Sequence, residues 1–192
     1  MKKEFISGFH KVQIRDVTTD DASALLDVYS PYVEDTNITF ETEIPSTEDF
    51  IKRIEKITEK LPWLVAEMDG VIAGYAYASK FRDRAAYRWS VEFTVYIDPQ
   101  VQANGVGRLL YSSLIEIVKS LGYYNAIAII SLPNEKSVKF HESAGFLKAG
   151  QIKSSGYKLG EWRDTGYWQL KLREYGESPA EPVLYSILYP AE

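Results

Sequence analysis

The middle of the chain carries a buried strand, a glycine-containing turn and a helix in direct succession. The strand is predicted over residues 91–97 and the turn is Gln102-Ala-Asn-Gly-Val-Gly107. Apolar residues then recur at helical spacing over residues 109–118, and Gly122 is expected to end the helix. This succession predicts a chain of the α/β class.

The same turn is a candidate binding site for an anion. Turn amides and the positive end of a helix can together hold a phosphate group, and Gly105 and Gly107 would let a ligand approach the backbone closely. The turn lacks the Gly-Lys-Ser/Thr ending of a P-loop and the G-x-G-x-x-G spacing of the dinucleotide fingerprint. By itself the pattern is equally compatible with a plain connection between a strand and a helix.

The whole sequence predicts the element order β-α-α-β-β-β-α-β-α-β-β. Two helix starts are indicated by caps, one at residues 18–21 and one at Ser46 with Asp49, and Pro31 is expected at a kink or near the end of the first helix. Asp-Gly at residues 69–70, between two apolar runs, is typical of a hairpin. The other predicted elements are strands at 12–16, 63–68, 71–78 and 126–130, a helix at 134–143, and two strands between 145 and 172.

The chain is expected to form one domain with short additions at both ends. Its 192 residues are enough for one domain with a sizeable core. We place an N-terminal extension at 1–11, the domain at 12–172 and a C-terminal tail at 173–192. The tail holds apolar residues at 183–185 and 187–189, so we expect it to pack, with a partner subunit as one candidate surface.

Composition excludes several classes of function. The net charge of −5 argues against nucleic acid as the main partner, because phosphate backbones need a basic face. The chain has no Cys and only His10 and His141, which excludes disulfides, thiolate catalysis and histidine-rich zinc sites, so we expect no metal. No apolar run approaches the ~20 residues that span a bilayer, and the first residues lack the apolar segment of a signal peptide. These features predict a cytoplasmic protein that does not bind a membrane.

Motifs beyond the turn resemble a known superfamily of enzymes. The pattern Gln-x-x-Gly-x-Gly stands between the fourth predicted strand and a long helix, and Asn134-Glu-Lys-Ser137-Val-Lys-Phe-His141-Glu-Ser-Ala-Gly145-Phe146 follows at the expected distance. Both segments resemble the GNAT acetyltransferase superfamily. Further segments resemble, more narrowly, the phosphinothricin N-acetyltransferase family: 62–67, 86–97, 132–134 and Gly156-Tyr-Lys-x-Gly160-x-Trp162-x-Asp164. The similarity runs from about Val12 to Leu172.

The resemblance implies a fold, an activity and a cofactor. The fold would be a mixed, strongly twisted sheet with splayed central strands and helices on both faces. The activity would be direct transfer of an acetyl group from acetyl-CoA to an amine within a ternary complex, by a protein that is a homodimer. The implied cofactor contacts are Val95, Tyr96, Ile97, Gln102, Ala103, Asn104, Gly105, Val106, Gly107, Arg108, Asn134 and Ser137.

Two titratable residues are implied to be catalytic. The family places Glu92 as the base, and the residue itself is a carboxylate inside an apolar strand, whose pKa would rise if it were buried. Strand alternation equally permits an outward-facing surface carboxylate. Many superfamily members carry Tyr where this chain has His141, whereas the phosphinothricin family has His there. His141 could protonate the leaving thiolate or share the role of base, although a single His on a helix is more often structural.

Substrate contacts are implied by the resemblance alone, at Phe40, Arg82, Arg84, Tyr87, Thr94 and Tyr96. An Arg can hold a carboxylate or phosphinate through two parallel hydrogen bonds. The sequence departs from well-known members of the family, which have Lys at the position of Arg82 and Arg at that of Glu41. The amine could therefore be phosphinothricin, methionine sulfoximine or a related amino acid. Two other hypotheses are a protein N-terminus or lysine as acceptor, and a coenzyme A-binding sensor without catalysis.

Overall fold

A computed structural model describes residues 2–7, 10–101 and 104–190, and eight strands in this part form one sheet. The strands are β1 (Lys2–Ser7), β2 (His10–Asp16), β3 (Trp63–Met68), β4 (Val71–Lys80), β5 (Ser90–Ile97), β6 (Asn125–Leu132), β7 (Leu147–Lys158) and β8 (Glu161–Lys171). The helices are α1 (Ala22–Glu34), α2 (Thr47–Thr58), α3 (Val106–Ser120), α4 (Glu135–Ser143) and α5 (Tyr185–Leu188). Short 3₁₀ turns cover Thr19–Asp21, Ala85–Tyr87 and Pro99–Val101.

The centre of the sheet is open because two neighbouring strands separate. The strand order is β1-β2-β3-β4-β5-β6-β8-β7, and β5 and β6 are the parallel neighbours. These two strands pair only where residues 90–92 face residues 125–127, and they then diverge. The divergence leaves a gap between residues 93–97 and residues 128–132. The predicted mixed sheet with splayed central strands is confirmed.

Alternate residues of the central strands contribute to two hydrophobic cores, one on each face of the sheet. On β3, Leu64 and Ala66 join the core that contains α3, whereas Trp63 and Val65 join the core that contains α1 and α2. A strand buried on both faces needs a continuous apolar run rather than an alternating one, which is what residues 63–66 show. The predicted helices on both faces are therefore confirmed.

Several local predictions are confirmed by backbone geometry. The Asp49 amide donates to Ser46 Oγ at 3.1 Å and caps α2, as the capping pattern predicted. The β3–β4 turn has positive φ at Asp69 (53°) and Gly70 (86°), the conformation that a tight hairpin requires. Pro31 lies in the last turn of α1, near the helix end as expected.

The first strand was missed by the predicted element order. β1 pairs antiparallel with β2 from Lys2 opposite Arg15 to Ser7 opposite His10. Its sequence, KKEFIS, holds three charged residues and two adjacent apolar ones, so it has no alternating pattern. The strand forms at the edge of the sheet through backbone pairing, with Phe5 packed on the core.

The C-terminal tail packs on its own domain, which confirms the expectation that it packs. Tyr185, in α5, is 7% exposed, and its hydroxyl donates to Asp16 Oδ1 at 2.5 Å. Its amide donates to the Lys60 carbonyl at 3.0 Å, and the Val183 amide donates to the Leu121 carbonyl at 2.8 Å. Within the described ranges, no helix combines the length and the apolar character needed to cross a membrane.

Candidate active site

The gap between β5 and β6 exposes backbone groups of β5. The Asp98 amide donates to the Ala73 carbonyl of β4 at 2.9 Å. In an antiparallel pair the backbone groups of every second residue face the same neighbour, so those of Tyr96 face β4 as well. The backbone groups of Val95 and Ile97 must then face the gap. The Ile97 carbonyl is already taken by the Tyr32 hydroxyl at 2.5 Å, which leaves the Val95 groups and the Ile97 amide toward the opening.

A cavity of about 280 Å³ lies beside this gap and brings both predicted catalytic residues together. Glu92, Thr94 and Tyr96 line it from one face of β5, because residues two apart on a strand point the same way. His141 lines it from α4. The two titratable residues are far apart in sequence, yet both belong to the lining of this one cavity.

Glu92 is partly buried in the cavity wall. Burial raises the pKa of the Glu92 carboxyl, and the charge of Arg82 opposes that rise in pKa without cancelling it. The alternative of an outward-facing surface carboxylate is therefore wrong. A carboxylate in this environment is a better proton acceptor than one in water, because its protonated form is favoured.

His141 is held in one tautomer by its own helix. Its Nδ1 lies 2.8 Å from the Ser137 carbonyl, which can only accept, so Nδ1 carries the proton and Nε2 has a free lone pair when the ring is neutral. The ring is 5% exposed and meets Tyr111, Phe140 and Phe146 edge-on. Burial lowers the pKa of His141, so the side chain is neutral at pH 7.

The glycine turn borders a second, larger groove of about 510 Å³. Ile38, Val95, Asn134 and Ser137 line both this groove and the Glu92 cavity, so the two spaces are adjacent. The groove is also lined by Gly105, Val106, Gly107 and Arg108.

Backbone geometry explains one of the two glycines of the turn. Gly105 has φ of 77°, in the left-handed region, at the start of α3. A Cβ on Gly107 would lie 3.4 Å from the Phe140 ring. The predicted contacts Gln102 and Ala103 lie outside the described residues. Asn104 is described, and its carbonyl accepts from the Ser7 hydroxyl of β1 at 2.6 Å.

Asn134 and Ser137 have a structural role in addition to their place in the site. Asn134 Oδ1 accepts the Ser137 amide at 3.1 Å and caps α4. Two basic residues of the same helix, Lys136 and Lys139, line the groove as well and were not predicted. Their spacing on one helix, next to the Ser137 motif, was the pattern that could have indicated them.

The predicted substrate residues divide into two groups. Phe40, Thr94 and Tyr96 line the Glu92 cavity, whereas Arg82, Arg84 and Tyr87 are outside its lining. The Arg82 guanidinium lies over the Phe81 ring at 4.8 Å, although its charge still acts on Glu92.

Glu41 marks one of the two departures from the family pattern. It forms an ion pair with Arg53 Nη1 at 2.9 Å, so its charge is locally compensated. The extra carboxylate that the sequence places near the cavity mouth therefore has a cationic partner within this chain.

Fold and site together define a GNAT acetyltransferase: a family model described as an acetyltransferase (GNAT) domain matches residues 14–166, and the chain belongs to that family. More narrowly, the chain belongs with the phosphinothricin N-acetyltransferases. It is 40% identical over 171 residues to the phosphinothricin N-acetyltransferase of Streptomyces viridochromogenes, covering 89% of this chain and 91% of the relative. It is 32% identical over 168 residues to an L-methionine sulfoximine/L-methionine sulfone acetyltransferase of Salmonella typhimurium, covering 87% and 98%.

A solved structure agrees in fold over almost its full length. The GNAT phosphinothricin acetyltransferase of Sinorhizobium meliloti, in complex with acetyl-CoA, has a TM-score of 0.86 and 34% identity, covering 91% of this chain and 98% of that one. The predicted family, fold, enzyme class and acetyl-CoA cosubstrate are confirmed. Within the part of the chain that the structure describes, no group of three or more His, Asp or Glu residues is placed to hold a metal.

Proposed function

We propose that this chain acetylates the amino group of a small amino-acid-like substrate, such as phosphinothricin or methionine sulfoximine, by direct transfer from acetyl-CoA in a ternary complex. The observation that carries the proposal is the adjacency of two spaces, a groove that starts at the glycine turn and a cavity that contains Glu92 and His141. Two substrates entering from different sides can meet there without a covalent enzyme intermediate. Holding them together lowers the entropic part of the barrier.

The groove suits each part of a coenzyme A molecule. Free amides of Gly105 to Arg108 at the start of α3, with Gln102, Ala103 and Asn104 before them, would hold the pyrophosphate. Lys136 and Lys139 add positive charge along the same groove. The Val95 carbonyl and the Ile97 amide would pair with the amide-containing arm, and Asn134 and Ser137 border the point where groove and cavity meet.

Glu92 is proposed as the principal proton acceptor. Acetyl-CoA supplies an activated acetyl group, but the amine attacks only after it loses a proton, and free amines are mostly protonated at neutral pH. Glu92 lies in the cavity wall with a raised pKa, which suits it to take that proton directly or through one water. The Val95 amide faces the gap and would stabilise the negative charge that develops on the acetyl oxygen.

His141 is proposed as the second proton acceptor. Its neutral ring and fixed tautomer leave Nε2 able to accept a proton from the amine, and a proton held there could pass to the departing sulfur. The pH dependence of kcat/KM separates the two roles. The variant that loses the rise of kcat/KM with pH, Glu92→Gln or His141→Gln, identifies the principal base.

The cavity favours a small acceptor over a protein. Ile38, Thr39 and Phe40 line the cavity together with residues of β5 and α4, and this additional wall suits a small acceptor better than an extended polypeptide. Thr94, Tyr96 and Phe40 are the proposed substrate contacts, with Arg82 as a cation whose charge acts on Glu92. The presence of both Glu92 and His141 argues against a sensor that has lost catalysis.

The experiment that tests the function is a thiol-release assay with acetyl-CoA. The amines are phosphinothricin, methionine sulfoximine, methionine sulfone and ordinary amino acids, compared by kcat/KM, with a peptide bearing a free N-terminus as the contrasting acceptor. We expect the amino-acid analogues to be preferred over the peptide. Preference for the peptide would overturn the small-substrate proposal, and binding without any transfer would favour the sensor.

We further propose a homodimer in the cytoplasm. Large apolar side chains are exposed on the β7–β8 hairpin, with Leu147 at 75% and Trp162 at 64%, and such a surface suits a protein contact. The absence of Cys from the sequence is compatible with a reducing compartment. Light scattering on the purified protein tests the dimer, and a monomer at all concentrations would remove it.

A further inference from the structure

The Glu92 cavity is covered by a short connection that has no regular secondary structure. We call residues 36–41, between α1 and α2, the roof segment. Its residues Ile38, Thr39 and Phe40 line the cavity, and Phe40 is 40% exposed. A connection of this kind keeps one position over the cavity only if other parts of the protein hold it.

Lys158, at the end of β7, is hydrogen-bonded to the roof segment and to the end of α1. Its Nζ donates to the Thr39 carbonyl at 2.9 Å and to the Tyr32 carbonyl at 3.4 Å. Thr39 belongs to the roof segment, and Tyr32 lies in the last turn of α1. One ammonium group therefore joins the end of the helix to the connection that leaves it, across more than a hundred residues of sequence.

The chemistry of the contact requires a long cationic side chain. The last carbonyls of a helix lack intrahelical partners, and a lysine can satisfy them. Lys158 is 5% exposed, and no salt bridge among the described residues includes it. Its desolvated charge is met by the two carbonyls and by the nearby carboxylate of Glu41, which also belongs to the roof segment, so the position of Lys158 is tied to that of the segment.

The same strand makes a second contact with the roof segment. A Cβ on Gly156 would lie 2.4 Å from the Phe40 ring, so the ring is packed directly against the β7 backbone. Inside the roof, Thr39 Oγ1 is hydrogen-bonded to the Tyr29 hydroxyl at 2.8 Å. The end of β7 therefore fixes both the backbone and the side chain of the cover.

We propose that Lys158 is a positioning residue that keeps the roof segment in its place beside the Glu92 cavity and so determines the affinity for the amine substrate. The inference rests on the proposed function, since it assigns that cavity to the amine. It gives a role to the segment Gly156-Tyr-Lys158, which the chemistry of the transfer leaves unused. Lys158 does not line the cavity and does not act on the reacting atoms.

The test compares Lys158→Met with Lys153→Met, a matched control at an exposed lysine of the same strand. The probes are methionine sulfoximine and phosphinothricin, each with saturating acetyl-CoA. We expect Lys158→Met to raise KM for the amine about tenfold, with kcat and KM for acetyl-CoA within about threefold of wild type. Lys153→Met should leave all three unchanged. Lys158→Arg, which keeps the charge and the donors, should recover part of the affinity.

A second readout does not require a substrate. Amide hydrogen exchange of residues 36–41 should be about tenfold faster in Lys158→Met than in wild type, with α3 unchanged. Gly156→Ala, which displaces the Phe40 ring without removing a polar contact, should raise KM for the amine in the same way.

The two readouts separate the possible failures. Unchanged exchange in Lys158→Met would overturn the role of Lys158 whatever the substrate is. Faster exchange with an unchanged KM for the amine would overturn the link to affinity. A wild-type enzyme that acetylates neither probe would contradict the proposed substrate class, and hydrogen exchange would still decide whether Lys158 holds the roof segment.

Discussion

Replacing Glu92 by glutamine removes the proposed proton acceptor and keeps the size of the side chain. Glu92 stands on β5 in the wall of the cavity, with its carboxyl partly buried and its pKa raised. Glutamine occupies the same volume and still forms hydrogen bonds, so the cavity should keep its shape. The amine then has to lose its proton by another route, and kcat should fall.

The arrangement of the cavity sets the size of this effect. A positioned general base contributes about 10²–10⁴-fold to the rate, which corresponds to about 3–5 kcal/mol. Glu92 is the one carboxylate among the described residues that line the cavity, and His141, the proposed second proton acceptor, lines it as well. We therefore expect a loss of about 10²–10³-fold in kcat for Glu92→Gln, toward the lower part of that range.

Steady-state kinetics with thiol release measures the effect. KM for acetyl-CoA should stay near the wild-type value, because Glu92 does not line the groove that borders the glycine turn. Thermal unfolding serves as the control for folding. Glu92 has a raised pKa in the folded protein, so its stabilising contribution is present below the unfolded pKa and is lost as pH rises through the folded pKa. Glutamine avoids that loss, and the variant should be at least as stable as wild type at neutral pH.

A specific pattern of results would refute this reasoning. Turnover within about threefold of wild type, in a variant that is folded, would remove Glu92 from the proton transfer. A large loss of thermal stability would show that the side chain supports the fold rather than the chemistry. The double variant with His141→Gln should lose the remaining activity if both residues accept protons.

Three other changes have expected outcomes. The pKa of His141 is lower in the folded protein than in the unfolded chain, so the free energy of unfolding should fall as pH drops below the unfolded pKa. Urea unfolding from about pH 7.5 to about pH 5.5 should therefore show a smaller loss of stability in His141→Gln than in wild type. Gly107→Val places methyl groups beside the Phe140 ring at the groove and should raise KM for acetyl-CoA about tenfold, measured by initial rates. Tyr185→Ala removes a buried ring and its bond to Asp16, and should lower the free energy of unfolding by about 3 kcal/mol in urea titrations.

The sequence alone determined the features that depend on neighbouring residues. The cap at Ser46, the hairpin turn at Asp69 and Gly70, and the order of strand, turn and helix around residues 91–118 are all local patterns, and the structure confirms them. Glu92 and His141 were also predicted as catalytic candidates from the sequence, through motifs that resemble a family. Local patterns failed at β1, whose charged residues give no alternation even though its backbone pairs fully with β2.

Only the tertiary structure decided how those pieces form a site. The separation of β5 from β6 turns a strand into a wall with free backbone groups at Val95 and Ile97, and it brings Glu92 and His141 to one cavity. The neutral state of His141 and the contact of Lys158 with the roof segment are likewise absent from any local pattern. The physical reason is that burial, strand pairing and these contacts join residues far apart in the chain. Their geometry exists only once the sheet has formed and the helices have packed on its two faces.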